Sequence, residues 1–188
     1  MKKSVIILLG ISAFLISCKK KEEKKELIPL SPGNYWIYRV WQIENGDTSL
    51  VDSFKMEVIG ENNDTFCLTG SLFALEELAE DETVKIVVKD SLYLSYTDDE
   101  PDTQFVLPLK AGNSWQVNEE FTAEVLDIED LRIGIENYSN CWRIRYQNED
   151  GDIQKHIWVK EEIGIVKFQR EEDGEITILE LKEYNLKK

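Results

Sequence analysis

The chain has 188 residues and a formal net charge of −15 at pH 7, with 37 acidic against 22 basic side chains. Its first 26 residues hold seven lysines and three glutamates, so residues 27–188 carry a net charge of −19. A protein that binds nucleic acid needs a basic surface, and acidic domains are also repelled by anionic lipid headgroups. The composition therefore excludes a nucleic-acid partner and disfavours binding to a membrane through surface charge.

A short apolar segment follows Lys2 and Lys3 at the start of the chain. It covers residues 5–16, which as a helix would rise roughly 18 Å, short of a hydrocarbon core of ~30 Å. The segment ends at Leu15-Ile16-Ser17-Cys18, and this Leu-x-Ser-Cys pattern resembles the lipobox of bacterial lipoproteins. The resemblance implies a signal peptide over residues 1–17, cleavage before Cys18 and lipidation of its thiol. A plain secretory signal with an incidental cysteine is the alternative.

Residues 19–26 contain only lysine and glutamate, so the segment 18–26 is predicted to be a lipidated cysteine followed by a solvated tether. Two or more acyl chains hold a protein stably at a bilayer, and we expect attachment to the membrane through lipid alone. The basic and then acidic order after the cysteine also resembles the surface-export signal of Bacteroidetes-type lipoproteins. The expected location is the outer membrane, on the cell surface or on the periplasmic face.

From Leu27 onward the pattern is typical of antiparallel sheet. Asn45-Gly46, Asp150-Gly151 and Asp173-Gly174 each separate two β-rich runs, and these dipeptides suit tight turns. The candidate strands are residues 35–43, 48–59, 65–69, 83–89, 92–97, 103–107, 114–117, 121–128, 132–135, 141–147, 152–160, 164–170 and 175–184. One helix is predicted, over residues 71–80, because Leu72, Leu75 and Leu78 share a helical face.

A repeat divides the single domain 27–188 into halves of about 28–107 and 108–184. Pro29–Trp36 recurs as Pro108–Trp115, and further along residues 66–68 align with 140–142 and residues 85–90 with 156–161. We predict two β-meanders, each opened by a Pro-Leu-x-x-Gly-Asn-x-Trp turn. The predicted fold is all-β and mostly antiparallel, with the halves forming a curved open sheet or half-barrel. A β-sandwich or a closed barrel is the alternative.

The two turn motifs, together with Gly164-Ile165-Val166-Lys167, resemble those of uncharacterised bacterial lipoproteins of the Bacteroidetes type. Those proteins open with the same turn and close with a Gly-x-Val-Lys strand before a final hairpin. The resemblance covers most of residues 28–184 and carries over neither an activity nor site residues. Some related families look like the curved open sheets of lipoprotein carriers, whose concave face shelters acyl chains. The resemblance thus implies that a ligand would lie on a hydrophobic concave face.

The strand 35–43 is apolar on both faces, with Trp36 and Tyr38 pointing one way and Trp41 the other. Ordinary burial on both sides explains this pattern, and so does an aromatic-lined pocket for an apolar or sugar-like ligand. The candidate ligand-facing residues are Trp36, Tyr38, Trp41, Trp115 and Trp158.

Two guanidinium groups on one strand face make Arg143 and Arg145 candidates for an anion contact. Pairing with glutamate or aspartate on a neighbouring strand is the alternative. The oxygen-rich loops 62–64 and 98–102 lack the spacing of a calcium-binding hand and are interpreted as solvated turns. We therefore expect no metal and no other cofactor.

Motifs for catalysis are weak in this sequence, and we expect no enzyme activity. His156 is the only histidine, and no nucleophile elbow, phosphate loop or zinc-ligand spacing surrounds it. Cys67 and Cys141 lie within predicted strands, where they form either a disulfide or two buried free thiols.

The sequence favours a lipid-anchored cell-envelope protein that binds an apolar or sugar-like ligand without catalysis. One alternative is a scaffold or accessory subunit of a surface complex, which would use an exposed apolar patch or a sheet edge. The other is a hydrolase built on a pair of carboxylates.

Overall fold

The computed structural model of the protein describes residues 26–72, 79–96, 100–151 and 153–187. These residues form twelve strands, and the part of the chain so described contains no helix with the length and hydrophobicity needed to cross a bilayer. The strands are β1 (Tyr35–Glu44), β2 (Asp47–Asn62), β3 (Thr65–Ser71), β4 (Ala79–Lys89), β5 (Leu92–Tyr96), β6 (Asp102–Val106), β7 (Ser114–Gln116), β8 (Phe121–Ile133), β9 (Glu136–Asn148), β10 (Gln154–Lys160), β11 (Gly164–Glu172) and β12 (Glu175–Asn185).

All twelve strands belong to one antiparallel sheet, in the order β6-β5-β4-β3-β2-β1-β12-β11-β10-β9-β8-β7. The sheet consists of two six-stranded meanders, β1–β6 and β7–β12, which are joined where the first strand pairs with the last. Its two edges also meet, because the N–H of Thr103 donates to the carbonyl of Val117 at 2.9 Å. The predicted all-β antiparallel fold is confirmed, and the nearly closed sheet lies closer to the barrel alternative than to an open half-barrel.

The two turns that open the meanders make the same backbone hydrogen bonds. In each turn the glycine N–H donates to a valine carbonyl, and the asparagine carbonyl accepts from the N–H of the same valine. The asparagine N–H donates to the carbonyl three residues earlier. The residues are Ser31, Gly33, Asn34 and Val58 in the first turn, and Lys110, Gly112, Asn113 and Val125 in the second. The φ angles of the two glycines are 85° and 84°, in the left-handed region that favours glycine. A repeat over the complete halves stays a prediction.

Two strand predictions were wrong in detail. Residues 121–128 and 132–135 are not separate strands, since β8 runs unbroken from Phe121 to Ile133 and the turn lies at Gly134-Ile135. Two shifts of register against β9, between Val125 and Asp127 and between Glu129 and Leu131, let β8 continue through the predicted break as β-bulges.

The helix predicted over residues 71–80 was wrong at its ends. Ser71 ends β3, Ala79 begins β4, and these two residues pair with each other. Residues 73–78 of the prediction lie outside the described part of the chain. At these two positions cross-strand pairing outweighs the helical signal, as tertiary context often does.

The hydrophobic core lies on one face of the curled sheet, and we call the opposite face the outer face. The largest fully buried aromatic side chains of the core are Trp36, Tyr38, Phe54, Phe105, Tyr146 and Phe168. Strands β1 and β9 alternate buried and more exposed residues, as a sheet with one packed face requires.

The N-terminal residues 26–34 close one end of the sheet. Ile28 is buried, and the N–H of Glu162 donates to the carbonyl of Glu26 at 2.9 Å. The C-terminus binds here too, because the N–H of Lys187 donates to the side-chain oxygen of Asn34 at 2.8 Å. Both ends of the described chain therefore lie at the same end of the domain, which we call the tether end.

Trp36→Ala is expected to lower the free energy of unfolding by about 3–5 kcal/mol, because it leaves a large cavity in the core. The variant also loses the hydrogen bond from the indole Nε1 to the carbonyl of Ile163, which is 2.6 Å long. Urea denaturation measures the change. Leu50→Ala is the control, because Leu50 is 56% exposed and its loss should change the stability by less than about 0.5 kcal/mol. A Trp36→Ala protein as stable as the wild type would show that this ring is not part of the core.

Candidate ligand-binding site

Two of the five aromatic candidates, Trp36 and Tyr38, belong to the closed core. Both are 0% exposed. The Tyr38 hydroxyl donates to the carbonyl of Ile165 at 2.9 Å, and burial raises the pKa of Tyr38 well above its ordinary value. Ordinary burial thus accounts for the core side of β1 without a ligand.

Trp115 stands at the junction of the two sheet edges and is partly buried. Its indole Nε1 donates to the carbonyl of Thr103 on β6 at 2.8 Å, and its ring meets the Tyr146 ring edge-on at 6.4 Å. Asn118 adds a further hydrogen bond across the junction by donating from its side-chain amide to the carboxylate of Asp102 at 3.0 Å. Trp115 therefore helps to close the sheet, and its ring packs toward the core.

Trp158 lies on the outer face of β10, yet it is only 6% exposed. Charged side chains cover it: the Arg143 guanidinium lies 5.7 Å and the Lys167 ammonium 4.7 Å from its ring centroid. Its indole N–H donates to the carboxylate of Glu129. Trp41, the remaining candidate, is half-buried on the outer face of β1, between Leu50 on β2 and Ile178 on β12.

A pocket of about 390 Å³ opens on the outer face of β7, β8 and β9. Six of its lining residues have side chains capable of hydrogen bonding, and they alternate along the strands with Trp115 and Ala123. The six are Ser114, Gln116, Thr122, Glu124, Arg145 and Gln147. Hydroxyl, amide, carboxylate and guanidinium groups thus converge on one small concave surface, and these groups can donate to and accept from a polar ligand.

Arg145 connects the pocket with the neighbouring outer face of β10. Its Nη2 lies 2.5 Å from the Oε2 of Glu124 in a cross-strand ion pair, and its register partner on β10 is His156. The next arginine, Arg143, pairs in register with Trp158. The structure thus places both anion candidates on one face, but Arg145 already has a carboxylate partner.

The register of β10 against β9 also places His156 beside these arginines. The sequence analysis did not predict this proximity. Burial, together with the charges of Arg143 and Arg145, lowers the pKa of His156 from 6.5 to about 4, and Glu129 opposes the shift. The imidazole is therefore neutral at pH 7. The signal for this placement is the pairing of β9 with β10, which the residue pattern of either strand alone does not reveal.

Neither described cysteine forms a disulfide, and Cys141 is fully buried in β9. Burial raises the pKa of its thiol to about 11, so it is a thiol rather than a thiolate at neutral pH. Across the described residues, no three histidine, cysteine, aspartate or glutamate side chains are grouped as a metal site would need. Asp98 and Asp99 of the acidic loop lie outside those residues.

Lys155 is the functional candidate that the sequence analysis missed. It points into the core from β10 and is 1% exposed, with its Nζ 4.8 Å from the Tyr146 ring centroid and 5.7 Å from that of Phe168. Its Nζ has no hydrogen-bond partner among the described residues. Burial, together with the charge of Arg170, lowers the pKa of Lys155 from 10.5 to about 7, and Asp102 opposes the shift. The strand pattern contained the signal, since Lys155 shares its face with Ile157 and Val159.

No protein-family model and no curated protein matches this sequence. Among solved structures, the chain is similar to a Bacteroides fragilis protein named as an exported protein with a YmcC-like fold. The two share 10% identity with a TM-score of 0.55, over 86% of this chain and 100% of that chain. This similarity concerns the fold alone.

Two further structures are less similar. One is a protein from Parabacteroides distasonis named as a lipoprotein, with 9% identity and a TM-score of 0.49 over 87% of this chain and 100% of that chain. The other is a LolA superfamily protein from Nitrosomonas europaea, with 11% identity and a TM-score of 0.30 over 84% of this chain and 87% of that chain.

Lys155→Met is expected to stabilise the protein by on the order of a few kcal/mol at pH 7, because methionine fills a similar volume without a buried amine. The folded pKa of about 7 lies below the ordinary value of 10.5, so between these values the unfolded chain binds more protons than the folded protein. The stability of the wild type should therefore rise with pH from about 7 upward, and the penalty should be complete below pH 7.

Urea denaturation of both proteins between pH 6 and 9 measures this effect, and the variant should show a flatter profile. Lys85→Met is the matched control, because Lys85 is exposed on β4 and its replacement should leave the profile unchanged. A Lys155→Met protein that is less stable than the wild type at pH 7 would show that the amine is paired in the core.

Proposed function

We propose that this protein is a lipid-anchored, non-catalytic binding module of the bacterial cell envelope, with a sugar-like ligand in the pocket of β7, β8 and β9. The observation that carries the proposal is the lining of that pocket, in which six hydrogen-bonding side chains surround about 390 Å³. Sugars present many hydroxyl groups at short intervals, and such a lining offers donors and acceptors to them. An apolar ligand finds less support, because the aromatic side chains of the core face pack against each other.

The lining also supports binding rather than catalysis. A glycosidase needs two carboxylates flanking the scissile bond. The pocket lining contributes one carboxylate, Glu124, which forms a 2.5 Å ion pair with Arg145. His156, the single histidine, lies beside two arginines on the neighbouring strands of the outer face. Glu124 and Arg145 are better suited to hold a ligand than to transfer a proton.

Attachment to the envelope is supported by the N-terminal sequence. The Leu15–Cys18 pattern supports lipidation of Cys18, and the similar Bacteroides fragilis protein is named as exported. Seven residues lie between Cys18 and Glu26, and the eight steps along the chain span at most roughly 29 Å, since an extended chain covers about 3.6 Å per residue. The tether end of the domain then faces the membrane, and the acidic surface keeps the rest of the domain off anionic headgroups. The proposed location is the outer membrane, on either face.

Cys18→Ser is expected to abolish lipidation and to leave the protein unprocessed or released in soluble form. A protein that carries two acyl chains stays with the membrane, whereas the same protein without them does not. Fractionation separates the two forms easily. Mass spectrometry of the mature N-terminus, together with fractionation of the cells, measures the outcome. Ser17→Ala is the control, since a small residue before the cysteine preserves the pattern. An unmodified mature N-terminus in the native protein would contradict lipidation.

Thr122→Trp is expected to weaken ligand binding by roughly tenfold or more, because the indole occupies the pocket volume. Thr122 is exposed, so the core should be unaffected. A glycan array selects an oligosaccharide that the wild type binds, and calorimetry then compares the variants. Ser139→Trp places the same ring at an exposed site on β9 away from the pocket and should bind like the wild type. Failure of the wild type to bind any glycan, or equal affinities for all three proteins, would refute a sugar site in this pocket.

A further inference from the structure

Two neighbouring hairpins lie at the end of the domain opposite the tether end. The turn Asn45-Gly46 joins β1 to β2, and the turn Asp173-Gly174 joins β11 to β12. Because β1 pairs with β12, the two hairpins lie side by side and form one continuous surface. The residues concerned are 41–52 and 169–178.

The outer face of these hairpins is apolar. In register, Leu50 lies opposite Trp41, Trp41 lies opposite Ile178, and Ile43 lies opposite Ile176. Five apolar side chains therefore occupy adjacent positions on one face, and we call them the distal patch. Leu50 is 56% exposed, and the neighbouring bulge residue Val51 is 50% exposed. A contiguous exposed apolar surface on a soluble domain is typical of a site of interaction.

Trp41 provides a second, independent observation. Its indole Nε1 is buried, yet it has no hydrogen-bond partner among the described residues. A buried N–H without an acceptor costs free energy that a bound acceptor would recover. Neighbouring atoms cover this nitrogen, so an acceptor on a docked partner reaches it when the indole or its neighbours shift on binding.

The charge around the patch is strongly negative. Residues 41–52 and 169–178 contain seven carboxylates and one basic side chain, Arg170, which lies 2.6 Å from the carboxylate of Glu172. The seven are Glu44, Asp47, Asp52, Glu171, Glu172, Asp173 and Glu175. Six of them are exposed and Glu172 is partly buried. A partner that covers the patch must bring positive charge to the rim.

We propose that the distal patch docks a protein segment whose apolar side chains are flanked by lysine or arginine. The apolar residues of the segment would cover Trp41, Ile43 and Leu50, and a carbonyl of its backbone would accept from the Trp41 indole. A second copy of this chain is a poor occupant, because two rims of net charge −6 would repel each other. An anionic membrane is repelled for the same reason, and the patch lies at the end away from the tether.

The test uses the full chain in its native bacterium, with a photoreactive benzoylphenylalanine at position 50 or, as control, at position 59. Ile59 is 52% exposed on the same strand but lies outside the distal patch. We expect position 50 alone to crosslink to a protein, at a segment that mass spectrometry identifies as apolar with lysine or arginine beside it. A crosslink to a second copy, to a glycan or to an acidic segment would overturn the proposal, and so would no crosslink.

A synthetic peptide of the captured segment then separates docking from incidental proximity. Leu50→Ser and Trp41→Phe should each weaken its binding, with a loss of roughly tenfold for Leu50→Ser, whereas Ile59→Ser should bind like the wild type. Replacing the basic residues of the peptide with glutamate should abolish binding. Equal binding by wild type and Leu50→Ser would overturn the proposal. The sugar site is tested by Thr122→Trp alone, so either inference can fail without the other.

Discussion

The pairing of the first strand with the last is the interaction on which the rest of the structure depends. Each meander is built from local hairpins, which form from neighbouring parts of the chain. The contact between β1 and β12 joins the meanders into one sheet. It also buries Trp36 and Tyr38 of β1. The Trp36 side chain donates to a carbonyl of the β10–β11 connection, and the Tyr38 side chain donates to a carbonyl of β11. The same pairing brings both chain ends to the tether end and sets the two distal hairpins side by side. Without it the two meanders would no longer form one continuous sheet, and the apolar face of each would lose part of its cover.

One row of residues shows how this sheet organises its surface. Starting at β7 and crossing the sheet, each outer-face residue of this row is the register partner of the next. The row has eight residues, one on each of eight neighbouring strands. They are Ser114, Glu124, Arg145, His156, Gln169, Ile178, Trp41 and Leu50. The row changes from hydrogen-bonding side chains at the pocket to apolar side chains at the distal patch. The two proposed binding surfaces are therefore parts of one face, and each has the polarity that suits a different class of partner.

Lys155 shows that the core is not optimised for stability alone. A lysine with its ammonium against two aromatic rings gains some cation–π attraction, but it loses hydration that no described hydrogen bond replaces. The neighbouring Arg170 adds repulsion, so the amine loses its proton near neutral pH. Most sheet positions with such burial hold an aliphatic residue, as Ile157 does two positions further on. The stability of this domain should consequently depend on pH in a range where few other side chains titrate.

The sequence by itself determined the class of fold and the order of its parts. Alternation of apolar residues and three turn dipeptides predicted an antiparallel sheet, because hairpin chemistry is local and needs no knowledge of distant strands. The wrong predictions of secondary structure also arose from local patterns. The bulges of β8 were interpreted as a break, and the leucines near residue 75 were interpreted as a helix although Ser71 and Ala79 pair as strands.

Only the tertiary structure decided which residues meet across the sheet. His156 beside Arg145, Trp158 between Arg143 and Lys167, and Trp41 between Leu50 and Ile178 are consequences of register between strands. Register depends on bulges and on how the whole sheet curls, and a shift of one residue would turn every side chain to the other face. Curling also decided which face of each two-sided strand became core. The curl of the complete sheet therefore placed some aromatic residues of β1 in the closed interior and others on the outer surface. The composition of that strand alone does not determine this division.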